Sequence, residues 1–227
     1  MRHSFLIFIL AVAWAGCAHA ENDILIGAGV RSRPEFDGFS NRTTDLIPVL
    51  RYYGTPWFAR TTQGMLEGGA RWQVGEGTDI GAQLAYEQGP RDKDPGASIG
   101  VHAEWEGRLG PMPLDALLRL RQHTDTDRGL QVDLRLTAGV YEGHGVLAGV
   151  FAQATYGNED YYRAFYEVES SGVVYASLGA LASYDLSRHW LLVGSVERRR
   201  LTDNAARSPL VAQRSASYAT LGLAYRF

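Results

Sequence analysis

The chain has almost no cysteine and almost no lysine, and beyond its first fourteen residues it has no long apolar run. Each shortage excludes something. Cys17 is the sole cysteine and lies in the N-terminal segment, so a mature chain without it has neither a disulfide framework nor a thiolate metal site. Lys93 is the sole lysine, the basic residues are otherwise arginine, and the formal net charge is −3, which gives no sign of a nucleic-acid partner. No segment of useful length shows a helical period, which argues against a helical bundle. Ser177 and Ser195 sit in no nucleophile-elbow glycine pattern, Gly96-Ala97-Ser98-Ile99-Gly100 has that spacing but opens a strand pattern rather than a strand-to-helix turn, and no histidines stand at metal-ligand spacing.

The N-terminus carries a targeting pattern. Arg2 precedes an apolar run from Ser4 to Trp14, and Ala18 and Ala20 supply the small-x-small cleavage site before Glu21. The run is too short to span a bilayer as a stable helix. Residues 1–20 are therefore read as a cleaved signal peptide and 21–227 as one mature domain. A rival is lipidation at Cys17, because Trp14-Ala15-Gly16-Cys17 loosely resembles a lipoprotein box with Trp where Leu is normal.

What the mature chain does have is period-two alternation. In the last thirteen residues Phe227, Tyr225, Leu223, Leu221 and Ala219 alternate with Arg226, Ala224, Gly222, Thr220 and Tyr218. This describes a strand with one greasy face and an aromatic C-terminus, as a lipid-facing barrel strand requires, although a soluble sandwich could own it too. Leu130 to Tyr141, Ile80 to Glu87 and Ile99 to Glu106 repeat the pattern with full charges on the polar face.

Strands are predicted at 23–33, 44–53, 56–63, 65–74, 78–88, 97–109, 113–124, 128–142, 145–157, 172–186, 188–201 and 213–227. Tight turns such as Gly75-Glu76-Gly77 and Gly110-Pro111-Met112 alternate with longer polar loops. Short turns on one side and long loops on the other are the asymmetry of outer-membrane barrels, and a sandwich has no reason to keep that parity. Gln63-Gly64 breaks the rhythm, being a tight turn on the long-loop side. Tyr and Trp gather near strand ends, where interfacial girdles sit. Pro48 is awkward inside a strand and implies a bulge or a later start. The fold class predicted is all-β, a transmembrane antiparallel up-and-down barrel of about twelve strands in the bacterial outer membrane.

Several stretches resemble the MipA/OmpV family of outer-membrane proteins. They are Gly27-Ala28-Gly29-Val30, Arg33-Pro34-Glu35-Phe36-Asp37-Gly38, Leu46 to Tyr52, Thr61-Thr62-Gln63-Gly64, Trp190, Asp203 to Ala206, Ser208 to Val211 and Leu221 to Phe227. The family usually has Asp-Gly where Gln63-Gly64 stands, and Asn158 to Ser171 is shorter and less glycine-rich than its counterpart. The resemblance implies a non-catalytic barrel that joins a lytic transglycosylase to a bifunctional penicillin-binding protein. It brings no cofactor, metal or ligand set.

Three classes of function stay open on the residues themselves. The scaffold is the first. The second is a narrow channel or small-solute binding barrel, with Arg51, Glu87, His102, Glu104, Arg119, Arg121, Asp133 and Arg135 as a lumen charge network that either lines a path or plugs it. The third is an envelope enzyme, for which His102, His123, His144, His189, Ser98, Ser177 and Ser195 are the available groups. His123 beside Asp125 and Asp127 is also a possible cation site. Phe227, Tyr225, Leu223 and Leu221 are assigned to insertion and closure. Arg198-Arg199-Arg200 suits lipopolysaccharide phosphates or a solvated rim. Tyr161, Tyr162, Phe165 and Tyr166 either cap the lumen or meet an external partner.

Overall fold

The computed structural model describes residues 24–87 and 96–227. The signal segment, Cys17 and most of the mixed-charge loop around Lys93 lie outside the described residues.

Twelve strands form one closed antiparallel barrel: β1 (Leu25–Pro34), β2 (Arg42–Tyr53), β3 (Trp57–Thr62), β4 (Met65–Gly75), β5 (Thr78–Glu87), β6 (Gly96–Leu109), β7 (Met112–His123), β8 (Leu130–Gly143), β9 (Val146–Gly157), β10 (Gly172–Asp185), β11 (Trp190–Leu201) and β12 (Ser215–Arg226). The expected boundaries fall within two residues of these. The seam runs from Leu25 opposite Arg226 to Ser32 opposite Ala219, so the C-terminal strand closes the barrel against the first.

The burial pattern is inverted relative to a soluble protein. Leu46 is 76% and Leu178 69% exposed, while Arg60 and Glu67 are each 1% exposed. Alternation explains this directly: one side of each strand meets lipid and the other meets the lumen. Exposed Trp57, Trp72, Trp105, Trp190, Tyr141 and Tyr184 all sit toward the tight-turn ends of their strands. Their rings form an interfacial girdle on the periplasmic side.

Two irregularities have one cause. β3 has six residues and pairs with β2 only from Arg51 to Tyr53. From Arg42 to Leu50, β2 therefore has β1 as its one strand partner among the described residues. Pro48 lies in this half-paired stretch, where a missing donor costs no rung on the β3 side, so β2 needs neither a bulge nor a later start. The Gln63-Gly64 turn bends into the lumen. Gln63 takes φ 53° and Gly64 φ 82°, and Gln63 Nε2 donates to Glu197 Oε2 at 3.1 Å, on β11.

The Asn158 to Ser171 segment, expected to be a loop, contains the helix α1 (Glu159–Tyr166). Asn158 caps it by accepting from Tyr161 N at 3.0 Å, and Glu159 and Asp160 complement its N-terminus. It ends at Glu167, which adopts a left-handed conformation. Gly129, at φ 72°, lets the cap seat closely: a Cβ there would lie 2.3 Å from both Asn158 Oδ1 and Tyr161 N.

Candidate functional site

Near its middle the lumen is crossed by ion pairs between inward-facing side chains of five strands. Glu67, on β4, is the hub. Its carboxylate accepts from Arg60 Nε at 3.0 Å, Arg119 Nη1 at 2.9 Å, Thr62 Oγ1 at 2.9 Å and Gln83 Nε2 at 2.8 Å. Arg60 also holds Glu104 through Nη1 at 2.9 and 3.0 Å. Arg119 donates to Asp133 Oδ2 through Nε at 3.1 Å and Nη2 at 2.9 Å, while Arg121 donates to the same oxygen at 3.1 Å. Thr155 donates to Asp133 Oδ1 at 2.7 Å. Arginine suits this arrangement because its planar fork can hold several acceptors at once.

Three arginines thus meet three carboxylates, and the plug is neutral. Neutrality matters because an unmatched charge in so dry a place would cost several kcal/mol. Toward the periplasmic end, Leu25, Ile47, Val49, Leu191, Val193 and Ala224 add an apolar inner cluster.

A cap of aromatic side chains packs over the extracellular side of the lumen. Tyr161, Tyr162, Phe165 and Tyr166 of α1 are all buried, which resolves their orientation as inward. Phe36, from the first long loop, packs on Phe165 and Tyr166 at ring-centroid distances of 6.1 and 5.2 Å. Burial pushes the Tyr161 and Tyr166 phenols well above their ordinary value, so both remain neutral. Asp37 ties the same loop to the wall. It accepts from Arg199 Nη1 at 3.0 Å and from the Tyr218 hydroxyl.

Between plug and cap lies a cavity of about 140 Å³, lined in part by Arg31, Arg121, His123, Phe165, Tyr175 and Tyr218.

Of the residues the sequence singles out, Glu104, Arg119, Arg121 and Asp133 meet in the plug. His102 is buried in the lumen, edge-on to Phe58 at 5.2 Å. Glu87 reaches Arg121 at 3.5 Å and His123 at 3.6 Å from the outer end of β5. Arg51 is half-buried opposite Arg60 in register. Arg135 stands apart, its guanidinium over the Phe151 ring at 3.9 Å.

The Arg198-Arg199-Arg200 run is split by strand alternation, since Arg199 is ion-paired inside while Arg198 and Arg200 are exposed outside. His144 lies in its tight turn against the Tyr141 hydroxyl at 3.2 Å, and His189 stacks on Tyr225. Asp125 pairs with Arg128 rather than with His123. Among the described residues no cluster of His, Cys, Asp and Glu could hold a metal.

Sequence reasoning passed over Arg60 and Glu67, the centre of the plug, and over Arg31 and Glu197. Glu67 did carry a signal, as the one charge among Leu66, Gly68, Gly69 and Ala70.

A family model described as MltA-interacting protein MipA matches residues 26–227. The chain belongs to the MipA family. No curated protein matches it by sequence. Among solved structures, the MipA-family barrel is similar to the COG4313 outer membrane channel from Pseudomonas putida F1, with a TM-score of 0.61 at 11% identity, over 94% of this chain and 98% of that one. The NanC porin aligns with a TM-score of 0.48 at 10% identity, over 91% and 100% of the two chains. At such identities the first likeness is one of fold, and the second adds nothing to it. Family and fold together place the protein in the outer membrane as a barrel resembling outer-membrane channels.

Proposed function

We propose that this MipA-family protein is a closed, non-catalytic barrel that acts by docking other molecules, joining a lytic transglycosylase to a bifunctional penicillin-binding protein. The observation that carries the closed state is the neutral plug around Glu67, with side chains 0–7% exposed along its Arg60 and Arg119 pairs. A barrel that offers no open path leaves its rims as working surfaces. The family's description as MltA-interacting protein supports murein enzymes as the partners. Affinity capture from detergent-solubilised envelopes tests this: enrichment of murein enzymes over a control barrel is expected, and none above that control would sink the scaffold.

Two assignments accompany this reading. Leu221 and Phe227, exposed on the lipid-facing side of β12 and at its end, carry insertion and closure together with Leu223 and Tyr225. Arg198 and Arg200 meet lipopolysaccharide phosphates at the extracellular rim. A second reading, a narrow channel or small-solute binding barrel, is favoured by the cavity between plug and cap. Discrete conductance steps in a planar bilayer would support the channel form of it.

A further inference from the structure

The cavity above the plug is lined by charges of both signs. Six arginines and four carboxylates line it. Five of the arginines already have carboxylate partners. Arg33 holds Asp45 at 2.6 Å, and Arg119 and Arg121 share Asp133. Arg128 holds Asp125 at 3.0 Å, and Arg199 holds both Glu197 and Asp37.

Arg31 is the exception. Its guanidinium lies 5.2 Å from the centre of the Tyr218 ring and against the Gly64 turn, where a Cβ would stand 2.1 Å from Nη1. Among the described residues it makes no ion pair. A permanently charged group so placed is stabilised by whatever anion reaches it.

A second group is unsatisfied in the same cavity. The His123 side chain is 2% exposed, and neither ring nitrogen has a hydrogen-bond partner. The nearest carboxylate oxygen, on Glu87, stands 3.6 Å from Nε2. Aromatic rings supply the walls: Phe165 and Tyr161 lie 5.7 and 6.4 Å from the His123 ring, and Tyr175 and Tyr218 line the cavity near Arg199.

We infer that this cavity is a binding site for a small monocarboxylate with a flat apolar body, Arg31 holding the carboxylate, His123 adding a polar contact and the aromatic rings enclosing the rest. The inference rests on the solute-binding reading and adds its ligand class. Arginine suits a carboxylate through its fork of donors. The Arg31 guanidinium, without an ion pair among the described residues, disfavours a cation beside it.

Benzoate is the test probe, with benzamide as its neutral counterpart and benzylamine as its cationic one, titrated calorimetrically into the full-length mature barrel in detergent. Saturable benzoate binding is expected, with benzamide at least about tenfold weaker, the difference expected for a charge-assisted contact. Arg31→Gln should lose about tenfold for benzoate and little for benzamide, and Arg31→Lys should recover part of the loss. Heat-modifiable migration of each variant checks that the barrel is intact. Equal binding of benzoate and benzamide, tighter binding of benzylamine, or an intact Arg31→Gln barrel that binds benzoate as wild type does, would overturn the anion site while leaving a solute cavity. No saturable binding of any of the three by the wild type would overturn the solute reading as well.

Discussion

Replacing Glu67 by Gln keeps the shape of the hub and removes its charge, so its effect measures what the plug contributes. Four donors converge on the two carboxylate oxygens, two of them from arginines. A glutamine retains one oxygen, able to accept about two of those four bonds, and turns an NH₂ toward the remaining donors. The loss of an ionic partner in a dry site costs about 3–5 kcal/mol. Here the lower end applies, because Arg60 keeps Glu104 and Arg119 keeps Asp133. The expected destabilisation is therefore about 3 kcal/mol. It is read from urea unfolding in phospholipid vesicles, followed by tryptophan fluorescence. Arg163→Ala is the control, since Arg163 pairs with Glu159 and Asp160 on the exposed side of α1, and such pairs contribute at most about 1 kcal/mol. A Glu67→Gln barrel no less stable than the Arg163→Ala barrel would refute the claim that the ion pairs hold the lumen closed.

Wild-type barrels in planar bilayers should show no discrete conductance steps at moderate voltage, and stable unitary openings would contradict the closed plug. Gly129→Val forces a side chain into the space taken by Asn158 and Tyr161 at a backbone conformation valine avoids, so α1 should lose its seat. Limited proteolysis would then cut between 158 and 171 far faster than in wild type, and equal rates would argue that α1 is not held by its cap. Removing Phe227 should lower the fraction of chain recovered from outer membranes as heat-modifiable barrel. An unchanged fraction would show that insertion does not depend on the terminal ring.

The strands were legible because their information is local. Alternation such as Leu130 to Val140 and turns such as Gly75-Glu76-Gly77 need no knowledge of distant partners, and they place the barrel almost to the residue. The helix was not read, although Tyr161, Tyr162, Phe165 and Tyr166 stand at i, i+1, i+4 and i+5 on one helical face, because eight residues repeat that spacing only once. Its stability comes from the Asn158 cap and from rings buried against Phe36 and His123. Nor can a local pattern say which lumen charges meet. Arg119 and Asp133 are facing residues on adjacent strands, within reach of a register argument, whereas Arg60 and Glu104 lie on strands three places apart in the barrel.

The residues that sequence reasoning missed share one location. Arg60 and Glu67 face each other across the short β3–β4 hairpin, whose Gln63-Gly64 turn breaks the alternation of loop lengths. A longer loop there would stand above the membrane with its neighbours. Cut short, the hairpin folds inward, sets Gln63 against Glu197 on β11 and brings the Gly64 turn against Arg31. The same hairpin carries Glu67 on the third rung from its turn, where Arg60 and Arg119 converge. One short element therefore forms the centre of the plug and one wall of the cavity above it.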